Sequence, residues 1–231
     1  MPCTEHLETS GHSDVRFRLI VFDLDGTLVD SRRDLAESAN AILRESGCGP
    51  LPEHAIGRLV GDGAATLVAR AFAAAGCSQP ADALERFLAV YNGRLLACTR
   101  PYPGIPDVLA ELAARAQLAV LTNKPLAATR AILAGLGLAS YFPADDVIGG
   151  DGPFPRKPDP GGLHHLAVRA GLAPSETILV GDSVIDWRTA RAAGAHICMA
   201  GYGFGFEGFP VADLGDDDRV VDSPAGLLEV L

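Results

Sequence analysis

Short apolar runs alternate with segments of helical period along most of the chain. Arg18 to Phe22, Leu118 to Leu121, Asp146 to Ile148, Thr177 to Val180, His196 to Met199 and Arg219 to Val221 form short apolar runs, the pattern of strands buried on both faces. Between them the spacing changes to three and four. Ile105, Val108, Leu109 and Leu112 share one helical face. Leu126, Thr129, Leu133 and Leu136 share another, after Pro125 at a helix start and before Gly137 at a helix end. Leu163, Leu166, Ala167 and Ala170 make a third. Strands alternating with helices predict an α/β fold, a Rossmann-like parallel sheet covered on both sides.

Residues 32–98 break the rhythm, with no strand-like run. Ser31 and Asp34 resemble a capping box, followed by Leu35, Ala39, Ile42 and Leu43 at helical spacing. Leu67, Val68, Ala71 and Phe72 mark a second helix. Leu84, Phe87, Leu88, Tyr91 and Leu95 mark a third, with Asp82 at its cap. The expected organisation is a core from residues 17–31 and 99–231, with 32–98 as an inserted helical cap. Arg100-Pro101-Tyr102-Pro103-Gly104 reads as the return hinge. Residues 1–16 are polar and read as a disordered lead-in, with His6 and His12 solvated rather than metal-bound.

The net charge of −10 argues against nucleic acid or an anionic membrane surface as a partner. It leaves room for an anionic small molecule, because a metal ion and local cations can reverse the field inside a cleft. No apolar run reaches membrane-spanning length, and the first residues lack the layout of a secretion signal. Cys3, Cys48, Cys77, Cys98 and Cys198 are odd in number and show no C-x-x-C spacing. They read as reduced thiols, and the chain as cytoplasmic. Whether it is a monomer or a homodimer is left open.

The chemistry is concentrated at predicted strand ends. Val21-Phe22-Asp23-Leu24-Asp25-Gly26-Thr27 places two carboxylates where the first strand runs out into a turn. Period-2 geometry sends Asp23 and Asp25 to one side and Leu24 to the other. Like charges held this close call for a cation or a shared proton. Three further loops carry polar groups: Thr122-Asn123-Lys124, Arg156-Lys157-Pro158, and Gly181-Asp182-Ser183 with Asp186 four residues beyond Asp182. In a parallel sheet these loops share one edge. Several carboxylates suit a hard cation such as Mg²⁺, and hydroxyl and ammonium groups suit a phosphoryl group.

On these four motifs, in this order, the chain resembles the haloacid dehalogenase superfamily of phosphohydrolases over about residues 17 to 231. The resemblance implies Asp23 as nucleophile, forming an aspartyl-phosphate, and Asp25 as the acid and base that serves leaving group and water. It implies Thr122, with Asn123, on the phosphoryl group and Lys157 offsetting the negative charge. For Mg²⁺ it implies Asp23, the backbone carbonyl of Asp25, and Asp182. Asp186 would ligate directly, ligate through water, or only orient the loop. A second role for it, as a helix N-terminal acid, stays open.

Within the superfamily, the phosphoglycolate phosphatases are most similar. The stretches concerned are Pro101-Tyr102-Pro103-Gly104, Thr122-Asn123-Lys124-Pro125, Gly149-Gly150-Asp151, Arg156 to Pro160, Val180 to Ser183, Tyr202 to Gly205 and Leu59 to Gly63. The implied substrate is a small phosphorylated metabolite, 2-phosphoglycolate. Alternatives are a sugar-phosphate phosphatase, a phosphomutase of the same superfamily, and a non-catalytic binding module. In the cap, Arg58 and the Gly61-Asp62-Gly63 loop are candidates to read the organic half of the substrate; a cap–core salt bridge for Arg58 is the competing assignment. Tyr202 to Phe209 reads as a mobile loop over the site or a dimer contact, Trp187 as a packing residue, and Asp213, Asp216, Asp217 and Asp218 as a solvated acidic turn.

Overall fold

The computed structural model describes residues 17–231. The predicted lead-in, with Cys3, His6 and His12, lies outside the described residues. Along the chain, β1 (Leu19–Phe22) and β2 (Val29–Asp30) precede four helices, α1 (Arg32–Glu45), α2 (Glu53–Gly57), α3 (Ala64–Ala74) and α4 (Ala83–Asn92). The chain returns through β3 (Arg100–Pro101), then α5 (Ile105–Ala113), β4 (Gln117–Leu121), α6 (Leu126–Gly135) and β5 (Val147–Ile148). It ends with α7 (Gly161–Ala170), β6 (Thr177–Gly181), α8 (Val184–Ala193), β7 (His196–Ala200), β8 (Arg219–Val221) and α9 (Leu227–Val230).

Six strands form one parallel sheet in the order β5-β4-β1-β6-β7-β8. All six coincide, within a residue or two at each end, with the apolar runs of the sequence. Alternate residues of β1 feed two cores. Ile20 and Phe22 pack with Ile105, Leu109, Leu112 and Ile132, whereas Leu19 and Val21 pack with Leu163, Leu166, Leu179 and Ala190. Because β1 pairs with β4 on one edge and β6 on the other, the strand order reverses at its carboxyl end. A crevice opens there in a doubly wound sheet.

The helices α1 to α4 bury a separate apolar cluster that includes Leu35, Ile42, Leu67, Phe72, Phe87 and Tyr91. The short antiparallel pair β2–β3 forms the neck between this cluster and the sheet. Two residues per strand carry no readable periodicity, so the sequence showed a hinge and not a ribbon. Asp34, fully buried, staples the neck. Its Oδ2 accepts hydrogen bonds from the Cys98 N–H (2.8 Å), the Thr99 N–H (2.7 Å) and the Thr99 hydroxyl (2.8 Å), and its Oδ1 faces Arg94.

Three expectations change, and the Tyr202 to Phe209 segment is placed at the site. Ser31 and Asp34 do not form a capping box, because Ser31 Oγ donates to Asp25 Oδ1 and Asp34 is committed to the neck. Cys48 and Cys77 are not free thiols: they form a disulfide between the turns after α1 and α3, with a Cα–Cα separation of 6.4 Å. Only the packing of α1 against α3 brings residues 29 positions apart to that distance. In the Tyr202 to Phe209 segment, Phe204 and Phe209 are buried, and Phe209 stacks on Phe206 and meets Trp187 edge-on. Asp218 is not solvated: it accepts from Arg191, from the Trp187 indole and from the Gly215 N–H. No helix among the described residues is long and apolar enough to cross a membrane.

Candidate active site

The loops after β1, β4 and β6, the Lys157 loop and the segment after β7 meet at the carboxyl edge of the sheet. They face the cap across a cavity lined by Asp23, Asp25, Thr122, Asn123, Lys124 and Asp182 from the core side, and by Val60, Gly61, Ala64, Leu67, Phe87 and Tyr91 from the cap side. Asp23 follows β1 directly and its N–H continues the ladder to the Val180 carbonyl. Its carboxylate therefore sits on a rigid strand end.

Lys157 Nζ lies 2.9 Å from Asp23 Oδ1 and 2.6 Å from Asp186 Oδ1. The other oxygen of Asp186 accepts the Ser183 N–H (3.1 Å) and hydroxyl (2.7 Å), the reciprocal cap at the start of α8. Asp186 thus serves the helix N-terminus and aims Lys157 at the same time. Burial works against the lysine's charge, but Asp186 and Asp23 outweigh it and hold Lys157 above its ordinary value.

Asp182 is walled in by the backbone. Its Oδ2 accepts the Gly205 N–H at 2.7 Å. Gly26, at φ +86°, lies so close that a Cβ there would fall 1.8 Å from the same oxygen. Neither a left-handed turn nor that approach admits a side chain. Oxygens of Asp23, Asp182 and Asp186 converge within 4.8 Å of one another, all three residues buried. Burial first, then Asp186 and Asp25, raise Asp23 from 3.8 to about 6 against the pull of Lys157. Burial, Asp186 and Asp23 push Asp182 well above its ordinary value.

These carboxylates fit a divalent cation. Asp23, Asp25, Asp182 and Asp186 face two buried ammonium groups, Lys157 and Lys124, which leaves an excess of two negative charges. Hard oxygen donors with that excess are the chemistry of Mg²⁺-type sites.

Asp25 is held at both oxygens, by Ser31 Oγ (2.5 Å) and by Lys124 Nζ (2.7 Å). Thr122, buried, accepts the Lys124 N–H. Asn123 donates to the Gly61 carbonyl of the cap (2.8 Å) and to the Lys157 carbonyl (2.9 Å), tying cap loop, core loop and lysine together.

A family model described as haloacid dehalogenase-like hydrolase matches residues 20–200. The chain belongs to the haloacid dehalogenase-like hydrolase family. Among similar members of this family, a phosphoglycolate phosphatase of Rhodospirillum rubrum is 46% identical over 207 residues, covering 86% of this chain and 84% of that protein. One from Caulobacter vibrioides is 40% identical over 211 residues, covering 88% and 86%. A crystal structure of a predicted phosphoglycolate phosphatase from Haemophilus somnus superposes with a TM-score of 0.83 at 32% identity, covering 93% of this chain and 97% of that one.

In this haloacid dehalogenase-like hydrolase the structure gathers Asp23, Asp25, Thr122, Asn123, Lys157, Asp182 and Asp186 at one sheet edge. Arg58 is not among them: it is half exposed and pairs with Glu207 of the core at 3.0 Å, the cap–core bridge weighed as its alternative. Three contributors were not read from the sequence as part of the site. Ser31 looked like a helix cap and holds Asp25 instead. The Gly205 N–H reaches Asp182 from a segment read as an aromatic loop. Lys124 stood beside two candidate residues, but only the fold puts Asp25 opposite it.

Proposed function

We propose that the chain is a divalent-cation-dependent phosphatase that hydrolyses 2-phosphoglycolate to glycolate and phosphate through an aspartyl-phosphate on Asp23. The observation that carries the reading is the Asp23 carboxylate, rigid at a strand end, paired with Lys157 and open to a cavity that also presents Asp25 and Thr122. The substrate assignment rests on the family relatives named phosphoglycolate phosphatase.

An oxygen of Asp23 attacks phosphorus in line, and the bond to the ester oxygen breaks with its electron pair going to that oxygen. Asp25 delivers the proton that turns the departing alkoxide into an alcohol. The same carboxylate then takes a proton from water, whose oxygen attacks the phosphorus and frees phosphate and the Asp23 carboxylate. Thr122 donates to a phosphoryl oxygen, and Lys157 spreads positive charge over nucleophile and phosphoryl group. Asp23, Asp182 and the backbone carbonyl of Asp25 would hold Mg²⁺. When bound, the ion lowers the repulsion between an anionic nucleophile and an anionic substrate. Asp186, with both oxygens engaged by Lys157 and Ser183, orients the set. The cap closes over the reacting groups and keeps bulk water from the alkoxide. The same reading puts the enzyme in the cytoplasm, acting on a small phosphorylated metabolite. Cell fractionation tests the first part, since a disulfide such as Cys48–Cys77 is uncommon in that compartment.

The test is phosphate release from phosphoglycolate, hexose phosphates and other small phosphomonoesters, with Mg²⁺ and with chelator. Cation-dependent release, highest for phosphoglycolate and lost in Asp23→Asn, is expected. Isomerised sugar phosphate without free phosphate would point to a phosphomutase instead.

A further inference from the structure

The cavity holds a second polar locus beyond the phosphoryl-binding groups. Lys124 contributes the only cationic side chain among the described residues that line it. Its side chain is 4% exposed. An ammonium carries three N–H donors, and here one acceptor is present, Asp25 Oδ2 at 2.7 Å. Beside it stands Tyr91 of the cap helix α4, its ring centroid 4.6 Å from Lys124 Nζ. The Tyr91 hydroxyl is buried and has no hydrogen-bond partner. Burial pushes Tyr91 up to about 12, so the group is a neutral donor. Leu35, Leu67, Phe87, Leu88 and Ala128 line the same cavity, with Asn92 beside Tyr91 as a further polar side chain of α4.

Unused N–H and O–H donors facing an apolar cavity are costly unless something accepts from them. An acceptor with two oxygens can serve both donors, and a carboxylate does so with charge-assisted bonds. Its place relative to the phosphoryl group follows from Asp25. That residue serves the leaving oxygen, and Lys124 touches Asp25. A group two bonds from the leaving oxygen therefore comes to lie by Lys124 and Tyr91. In a short 2-phosphooxy acid that group is a carboxylate, with one oxygen for each donor.

We propose that Lys124 of the core and Tyr91 of the cap together form the subsite that binds the substrate's carboxylate and selects short phosphomonoesters carrying an acid group beside the ester oxygen. The inference rests on the phosphatase reading above and specifies its substrate. It also gives the cap a part in recognition: Tyr91 completes the subsite only when α4 lies against the core. An analogue without the carboxylate leaves the Tyr91 hydroxyl and the N–H donors of Lys124 not used by Asp25 without an acceptor, which is how a polar site rejects a substrate lacking the matching group.

Phosphoglycolate and 2-hydroxyethyl phosphate, which lacks the carboxylate but keeps the chain length, test this. The readout is the ratio of their kcat/KM values, in which any general loss through Asp25 cancels. Wild type should favour phosphoglycolate, and Lys124→Met and Tyr91→Phe should each lower the ratio by about 10- to 100-fold. Lys124→Arg should restore part of the ratio lost in Lys124→Met. Calorimetric titration of both ligands into Asp23→Asn and into Asp23→Asn/Lys124→Met reads the subsite without turnover. A ratio unmoved by both single substitutions, or the same carboxylate preference in the two titrated variants, would overturn the subsite while leaving the phosphatase reading intact. Carboxylate-selective binding that depends on Lys124, with no phosphate release from any ester, would sink the phosphatase reading alone.

Discussion

Replacing Asp23 by Asn should abolish turnover and yet stabilise the cation-free protein. The side chains are nearly the same shape, so packing is preserved, and the change is one of charge. Asp23 is raised from 3.8 to about 6, chiefly by burial and then by Asp186. A shift of about two units corresponds to about 3 kcal/mol of differential free energy. The sign follows from proton binding. Between about pH 4 and 6 the folded state keeps a proton that the unfolded state has released, so wild-type stability falls as pH rises through this window. The Asp23→Asn variant lacks the share of this slope that Asp23 contributes. The two proteins should unfold alike near pH 4, and the variant should gain up to about 3 kcal/mol at pH 7, or about 6–12 °C in Tm for a chain of this size. Lys157 is not orphaned by the change, since Asp186 Oδ1 remains 2.6 Å away. The assay is thermal unfolding in chelator from pH 4 to 8, repeated with Mg²⁺. Cation binding supports the charged form, so saturating Mg²⁺ should shrink the gap between the proteins. A variant less stable than wild type at pH 7 in chelator, or a pH-independent difference, would refute this account of the site's electrostatics.

Three other perturbations test the frame around the site. Asp34→Ala strips acceptors from the Cys98 and Thr99 N–H groups and removes a partner of Arg94, and should cost about 3–5 kcal/mol in denaturant unfolding, with faster amide exchange at residues 98 and 99. Gly26→Ala drives a methyl into Asp182 from a left-handed backbone, so kcat should drop at least about 100-fold and the Mg²⁺-induced rise in Tm should diminish. Mass spectrometry after alkylation should find Cys48 and Cys77 protected until reductant is added, and reduction should lower cap stability by about 3–4 kcal/mol for a 29-residue loop.

Much of this molecule was legible in its residues. The inner strands of the main sheet announce themselves as apolar runs, because a strand buried on both faces has no polar alternation to disguise it; the edge strand β8, with Val220 exposed, is marked only by its short Val220-Val221 pair. The positions of Asp23, Thr122 and Asp182 at the ends of such apolar runs place them on one sheet edge, and Lys157 sits in the loop that follows β5. What could not be read were pairings between residues far apart in sequence. Cys48 meets Cys77 only because α1 packs on α3. Ser31 and Asp34 satisfy a local capping pattern, but buried partners brought in by the fold compete for both side chains and win. Arg58 has the chemistry to grip an anion, and the fold gives it Glu207.

Local pattern and strand-end chemistry are properties of neighbouring residues, so the sequence alone determined the α/β architecture, the helical insertion and the acids and lysine of the candidate site. Which donor faces which acceptor across the cap–core boundary depends on chain segments that meet only after packing. That is why Asp186's double duty, the Gly205 contact to Asp182, and the convergence of Lys124, Asp25 and Tyr91 were decided by tertiary structure.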